Sequence, residues 1–356
     1  MYHWFALRSV PLVGNVLYRR LLDRFGSPEA VFRASDAELA SVRGVSSAVA
    51  ASIRGHDPRA FAESECERVR RAGVRIVTIR DPDYPPLLLQ ITDPPPYLYV
   101  KGDPTGLEPA VAVVGSRRAT VYGRTVTARL AEDLARRGVA VVSGMARGID
   151  TAAHQGALAG EGRTVGVLGC GIDVVYPPEN RALFARVADR GALVSEFPLG
   201  MGPLAENFPR RNRIISGMCR GVLVVEAAER SGSLITAQMA LDQGRDVFAI
   251  PGNITSSGSS GTNRLIREGA KLVAGVEDIL EELVPRAAAA VAVAPPLPPL
   301  PAGEAALMAM FGADPLHIDE IIAKSALTVG EVSAMLLRLE LKGVVTQLPG
   351  KFFHAN

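Results

Sequence analysis

From Gly73 onward the chain alternates short, near-continuous apolar runs with amphipathic helical ones, and this alternation constrains the fold more than any other feature. The apolar runs fall at 74–79, 97–100, 111–114, 139–142, 164–168, 192–195, 222–225, 247–250 and 272–273. Runs this short and this apolar predict strands covered on both faces. Helical runs lie between most of them, at 124–137, 151–159, 181–190, 212–218, 234–243 and 263–268. Such a pattern specifies an α/β fold with a doubly wound, mostly parallel, Rossmann-like sheet. Right-handed crossovers then bring the strand C-terminal ends to one edge, where ligands bind.

The flanks read differently. Residues 1–72 form short helices in which one unit echoes another: an apolar helix end, a Gly-containing hairpin (Val10 to Gly14, then Val42 to Ser46) and a second helix at 16–25 or 48–54. This is the pattern of helix-hairpin-helix or SAM-like domains. Its hairpins carry little positive charge beyond Arg8 and Arg43, so a packing role is a better reading than a phosphate contact. Residues 73–284 are the α/β domain, and 285–303 are an Ala/Pro linker. Residues 304–356 read as three helices (304–311, 317–324, 328–342) and a hairpin (344–347, 351–354), a winged-helix-like domain. Thr328 and Glu331 have the spacing of a capping box.

With 356 residues, two or three domains are expected, and a net charge of +2 means that any polyanion site must be local. The three cysteines make no C-x-x-C pair, which fits a reducing compartment and argues against zinc. No metal spacing joins the five histidines, and no cofactor is expected. The N-terminus lacks the plan of a signal peptide and no apolar run reaches membrane-spanning length, so a cytoplasmic protein without a membrane partner is expected.

Chemistry concentrates in loops that follow strands. Gly115, Ser116, Arg117 and Arg118 follow one strand. Ser143, Gly144 and Arg147 follow another, leading to Asp150 as a helix cap. Gly169 and Gly171 follow a third, and Ser231 and Ser233 come after Glu226 at the end of a fourth. Glycines let backbone amides approach a phosphate, and serine hydroxyls add donors. Several such loops along one edge make a groove rather than a point site. The densest segment is Phe208-Pro209-Arg210-Arg211-Asn212-Arg213, running into Ile214 and Ile215. Arginine forks match phosphate oxygens, and an aromatic face stacks on an unpaired base. Two readings of this segment stand side by side: a grip on a polyanion at a helix start, and a solvated cationic helix start.

Enzyme readings find less support. No G-x-x-x-x-G-K-S/T and no helix-opening G-x-G-x-x-G is present, which disfavours a P-loop NTPase and a dinucleotide enzyme. Glu226 is a candidate catalytic acid or a helix cap. Asp150 and His154, four residues apart, are a candidate acid–base pair or a cap with an intrahelical contact.

The ordered blocks Tyr84 to Leu88, Asp93 to Tyr99, Val113 to Arg118, Ser143 to His154, Asn207 to Gly217 and Ser231 to Ala237 resemble the DNA-processing protein A family (DprA/Smf) over nearly the whole length. The resemblance implies an extended Rossmann domain with a small helical N-terminal domain and a winged-helix-like C-terminal domain. It implies a non-catalytic protein that binds and protects single-stranded DNA and loads RecA onto it during natural transformation and homologous recombination, as a homodimer through the Rossmann-like domain. By resemblance, Arg117 would clamp a phosphate and Phe208 would pack on a base or sugar. Asn207, Arg210, Arg211, Asn212 and Arg213 would belong to the same DNA site, with packing of one or more of these arginines into the core as the alternative. Some relatives carry a basic residue where this chain has Ala205, which implies a weaker phosphate grip there or one moved to Arg210 or Arg211. A related Rossmann-like class, the phosphoribohydrolases, offers a nucleotide- or nucleoside-processing alternative, but its P-G-G-x-G-T-x-x-E motif is absent.

Overall fold

The computed structural model describes residues 1–283, 301–312, 315–325, 327–342, 344–348 and 350–355. Nearly all of the expected linker lies outside them. The described residues form two units, Met1–Arg286 and Ala287–Asn356.

All nine expected strands form, and they make one sheet: β1 Arg75–Thr78, β2 Tyr97–Gly102, β3 Ala110–Val114, β4 Ala140–Ser143, β5 Thr164–Val167, β6 Ala192–Ser195, β7 Gly221–Val224, β8 Asp246–Ala249 and β9 Lys271–Leu272. The order is β1-β2-β6-β5-β4-β3-β7-β8-β9. Strands β3 to β9 pair in parallel, while β1 and β2 extend the β6 edge antiparallel. The chain steps outward from β3 through β4, β5 and β6, then returns to place β7 on the other flank of β3, with Val114 opposite Val224. That reversal opens a crevice beyond the ends of β3 and β7.

Strand side chains alternate between two cores, as the pleat requires. Val111, Val113, Leu223 and Val225 pack under α7 (Val121–Arg136), α8 (Ile149–Ala159) and α13 (Glu277–Leu283). Ala112, Val114, Val222 and Val224 pack under α10 (Asn207–Gly217), α11 (Gly232–Asp242) and α12 (Ser260–Arg267). The remaining helix of this region, α9 (Arg181–Arg190), covers the β5–β6 side with Leu183, Phe184 and Val187. Each fully buried Val or Leu contributes about 1.5–3 kcal/mol.

Six helices precede the sheet: α1 Tyr2–Ser9, α2 Asn15–Phe25, α3 Pro28–Arg33, α4 Asp36–Ala40, α5 Ser47–Gly55 and α6 Arg59–Ala72. Serine caps start three of them: Ser27, Ser35 (with Glu38, a full capping box) and Ser46. Leu7, Tyr18, Leu21, Leu22, Leu39 and Ile53 make their own core. Phe5 instead joins the sheet, stacked 6.2 Å from Tyr99 and edge-on to Tyr97. Glu65 of α6 is buried between the Tyr99 hydroxyl (2.7 Å) and the Leu199 amide (2.9 Å), both of which donate to it. These contacts make the helices and the sheet a single compact unit.

In the second unit, α14 (Ala302–Met308), α15 (Ile318–Lys324) and α16 (Val329–Leu341) pack against a sheet ordered β10 (Leu316–His317), β12 (Phe352–Ala355), β11 (Val345–Leu348). Leu307, Ile321, Val332, Leu336, Val345 and Phe353 form the core, and the Thr328–Glu331 capping box starts α16. This is the expected winged helix with one further short strand, β10.

Candidate nucleic-acid interface

A cleft of about 690 Å³ lies at the crevice between β3 and β7. The loop after β3 supplies Gly115, Ser116, Arg117 and Arg118; α10 supplies Phe208, Arg211 and Asn212; the loop into α11 supplies Arg230, Ser231 and Ser233.

The β3 loop is held from below. Ser116 donates its amide to the Glu226 carbonyl (2.8 Å) and accepts the Ile149 amide at its own carbonyl (3.2 Å). Its hydroxyl accepts the Arg118 amide (3.1 Å), tightening the turn. Gly148, at φ +75°, passes so close that a Cβ there would lie 2.2 Å from the Ser116 carbonyl oxygen. The loop therefore projects Arg117 and Arg118 outward, and both are exposed.

Helix α10 starts at Asn207, five residues before the expected start at 212, so Phe208 to Arg213 are helical rather than a loop leading to a helix. Pro209 is tolerated because the first turn needs no intrahelical amide donor. Helical geometry sends neighbouring residues to different surroundings. Phe208 is half-buried at the cleft, its ring against Gly169, where a Cβ would come within 2.9 Å of Cδ1. The Tyr176 ring lies 5.7 Å from it at a 45° tilt, and the Arg117 guanidinium carbon sits 4.9 Å from its centroid. Such a cation–π contact holds an exposed arginine by about 0.5–1 kcal/mol.

Several expected DNA contacts are turned inward. Arg211 is buried; its Nη1 donates to the carbonyls of Gly144 (2.8 Å) and Val167, at the ends of β4 and β5. Burial lowers its pKa to about 10, with Asp150 opposing the shift, so it remains charged at neutral pH. Arg213 is also buried, forked onto Glu196 (2.9 and 2.8 Å) and bound to Asp93 (2.7 Å). Ser143 is inaccessible and donates its hydroxyl to the Val113 carbonyl (2.6 Å). Asn207 is buried, its amide on the Met201 sulfur at 3.4 Å. Gly144, Gly169 and Gly171 are buried close-approach positions: a Cβ would meet Arg211 at Gly144, Phe208 at Gly169 and the Pro198 carbonyl at Gly171. Arg147 pairs with Glu179 away from the cleft. Arg210 leans over Phe197, 5.7 Å from its centroid, on the far flank of α10.

Asn212 and the serines join α10 to α11. Asn212 reaches the Gly232 carbonyl at 3.5 Å, and the Ser231 hydroxyl caps α11 through the Ser233 amide (3.3 Å), 2.7 Å from the Ser233 hydroxyl. Arg230 and Tyr176 are cleft residues that the sequence reading missed. Arg230 precedes the Ser231-Gly232-Ser233 turn, and an arginine beside such a turn is the signal that could have found it. Tyr176 comes from a distant loop with no local signal.

The candidate acids have structural surroundings. The Glu226 carboxylate accepts the Thr120 amide (2.9 Å) and hydroxyl at the start of α7, where Gly123 leaves room for it. The N-cap of α8 is Gly148, not Asp150; Asp150 lies in the first turn and accepts the Ala146 amide (3.2 Å). Burial raises the Asp150 pKa against the pull of Arg211. His154 is fully buried, Nδ1 2.7 Å from the Thr164 hydroxyl, and burial pushes its pKa down to about 3. It is therefore a neutral core histidine.

At the rim, Arg117, Arg118 and Arg230 have no carboxylate partner among the described residues. The cleft thus offers fixed positive charge beside an aromatic ring. In the second unit the cations of α16 are engaged: Glu304 accepts from Arg338 (3.1 Å) and Lys342 (2.6 Å). No helix among the described residues is long and apolar enough to cross a membrane.

Residues 75–284 match the family model for DNA recombination-mediator protein A, and residues 291–351 match that for the DprA winged helix domain. Protein Smf of Synechocystis is 36% identical over 98% of this chain and 97% of its own length. Protein Smf of Escherichia coli is 43% identical over 83% and 81%. The solved structure of DNA processing protein A from Streptococcus pneumoniae superposes with a TM-score of 0.70 at 38% identity, covering 79% of this chain and 97% of that one. That from Helicobacter pylori, described for its single-stranded DNA binding mode, gives a TM-score of 0.53 at 30% identity over 58% and 94%. Matched in both units and aligned over 98% of its length with the Synechocystis relative, the chain belongs to the DNA-processing protein A (DprA/Smf) family.

Proposed function

We propose that this protein binds single-stranded DNA in the cleft between β3 and β7, without catalysing a reaction on it. The observation that carries the reading is the half-buried Phe208 ring beside an Arg117 guanidinium that forms no ion pair with a carboxylate among the described residues. A base stacks on the ring, and the strand's phosphates meet Arg117, Arg118 and Arg230. The serine and amide groups at the start of α11 add neutral donors. Stacking contributes on the order of 1–3 kcal/mol per base. Duplex DNA keeps its bases stacked internally and gains only the charge term.

The non-catalytic reading is supported by where the candidate acids lie. Glu226 holds the start of α7, Asp150 is buried in the cleft wall where it accepts the Ala146 amide beside Arg211, and His154 faces the interior. As in the family's recognised role, the bound strand is protected and passed to RecA during transformation and recombination by a homodimer joined through the α/β domain. Family membership, not the cleft, supports this last part.

Titration of fluorescent single- and double-stranded oligonucleotides over a range of salt tests the reading. Tighter single-strand binding, falling linearly in log–log form with salt, is expected. Equal or tighter duplex binding would refute it. RecA filament assembly with and without the protein, and sedimentation, test the partner and the dimer.

A further inference from the structure

The first two turns of α10 separate two clefts, and only one belongs to the site described above. The second, about 600 Å³, lies between α10 and the N-terminal helices, lined by Arg8, Asn15, Val16, Asp93, Arg210 and Arg213 among others. Its charges are not equivalent. Arg213 is neutralised by Glu196 behind it and Asp93 beside it. Arg8 and Arg210 have no ion-pair or hydrogen-bond partner for their guanidinium groups among the described residues; Arg210 has only its contact with Phe197. Two free guanidinium groups therefore face one concavity whose only carboxylate is already paired.

Asn15 adds a second kind of group. Its Nδ2 reaches the Asp93 carbonyl at 3.5 Å, while its Oδ1 is buried and has no partner. A phosphodiester satisfies the arginines but has no proton to donate to Oδ1. A nucleotide does both, with phosphate oxygens for the guanidinium groups and base N–H groups for the amide oxygen.

We propose that the second cleft is a continuation of the DNA path: a single strand leaving the Phe208 cleft crosses α10 and lays its next phosphates against Arg210 and Arg8. This rests on the reading of the first cleft as the primary DNA site. Position on the helix favours continuity. Phe208 and Arg210 lie two residues apart on opposite flanks, so a strand need only pass over one helix, roughly 10–12 Å across with its side chains.

The test uses the full chain with oligothymidylates of about 4 and about 16 nucleotides, the limits of common single-strand site sizes. Arg8→Gln should leave affinity for the short strand unchanged, which also reports an intact fold. It should weaken the long strand about tenfold, the effect of one lost charge-assisted contact, and reduce the salt slope by about 0.7. Val16→Asp, which places a negative charge in the same cleft, should do likewise. Phe208→Ala should weaken both lengths. If Arg8→Gln and Val16→Asp leave the long strand unaffected while Phe208→Ala weakens both, the second cleft is not on the path and the first stands. Equal weakening of both lengths by Arg8→Gln also overturns the proposal. If Phe208→Ala changes neither length, the primary reading fails and the continuation fails with it.

Discussion

The Arg117 guanidinium carbon lies 4.9 Å from the centroid of the Phe208 ring, joining the loop after β3 to the first turn of α10 across the cleft. Each residue contributes what the other lacks: a diffuse cation for phosphate, and an apolar face for a base. Arg117→Ala should lower single-strand affinity and reduce the dependence of log K on log salt by about 0.7. Phe208→Ala should cost on the order of 1–3 kcal/mol per stacked base and leave that slope nearly unchanged. Anisotropy titrations at several salt concentrations separate the two. Equal slopes for Arg117→Ala and the parent protein would show that Arg117 holds no phosphate.

The ring of Phe208 is positioned by an absence. Gly169 has no side chain, and a Cβ there would come 2.9 Å from Phe208 Cδ1 and 3.1 Å from Cε1. Gly169→Ala should displace the ring from Arg117 and weaken DNA binding nearly as much as Phe208→Ala. The overpacking should cost stability about 1–3 kcal/mol. Parent-like affinity in a folded Gly169→Ala variant would mean that ring position is unimportant.

Arg213 and Glu196 form a buried, two-pronged ion pair 17 residues apart in sequence. Removing one charge strands the other in the interior, so Arg213→Gln should destabilise the fold by about 3–5 kcal/mol. Glu196→Gln should cost less, because Arg213 keeps its pairing with Asp93, and the double variant should recover part of the Arg213→Gln loss. Urea denaturation of the full cycle measures this; additive losses would show that the pair is not coupled.

Glu226 distinguishes a structural carboxylate from a catalytic one. It accepts two hydrogen bonds from Thr120 at the start of α7, where negative charge is favoured. Glu226→Gln should lower stability by about 1–3 kcal/mol. The parent protein should show no turnover across a panel of nucleotides and nucleosides. Turnover by the parent that disappears in Glu226→Gln would make the protein an enzyme.

His154 gives an acid limb to stability. Its folded pKa, about 3, lies below the unfolded value of about 6.5. Between these values the unfolded chain binds the additional proton, so stability should fall as pH drops from about 6.5 toward 3, with a slope approaching 1.4 kcal/mol per pH unit. Asp150 works the other way. Its raised pKa lets the folded state take up a proton first, which partly offsets the loss at the acid end. His154→Asn should flatten the limb; an unaltered slope would show that the imidazole is not responsible.

The sheet was legible because its strands are apolar on both faces. Val111 and Val113 serve one core and Ala112 and Val114 the other, so the run is continuous rather than alternating. The start of α10 was not legible, because Pro209 with its polar neighbours reads as loop until the first-turn exemption of proline is applied. The charges of α10 were the hardest part. Nothing local distinguishes Arg210, Arg211 and Arg213, and their fates depend on Phe197, on two strand-end carbonyls and on Glu196, each supplied by a distant segment. Tyr176 was missed for the same reason, whereas Arg230 had a local signal in the Ser231-Gly232-Ser233 turn that follows it.

The Arg211 bridge to the carbonyls of Gly144 and Val167 has a kinetic consequence. By bolting the second turn of α10 to the ends of two central strands, it makes the cleft wall a fixed post rather than a lid. The protein then arrives preorganised, and the ordering entropy of association falls on the flexible DNA strand. Encounter should therefore be governed by electrostatic steering and ionic strength rather than by a slow isomerisation of the protein.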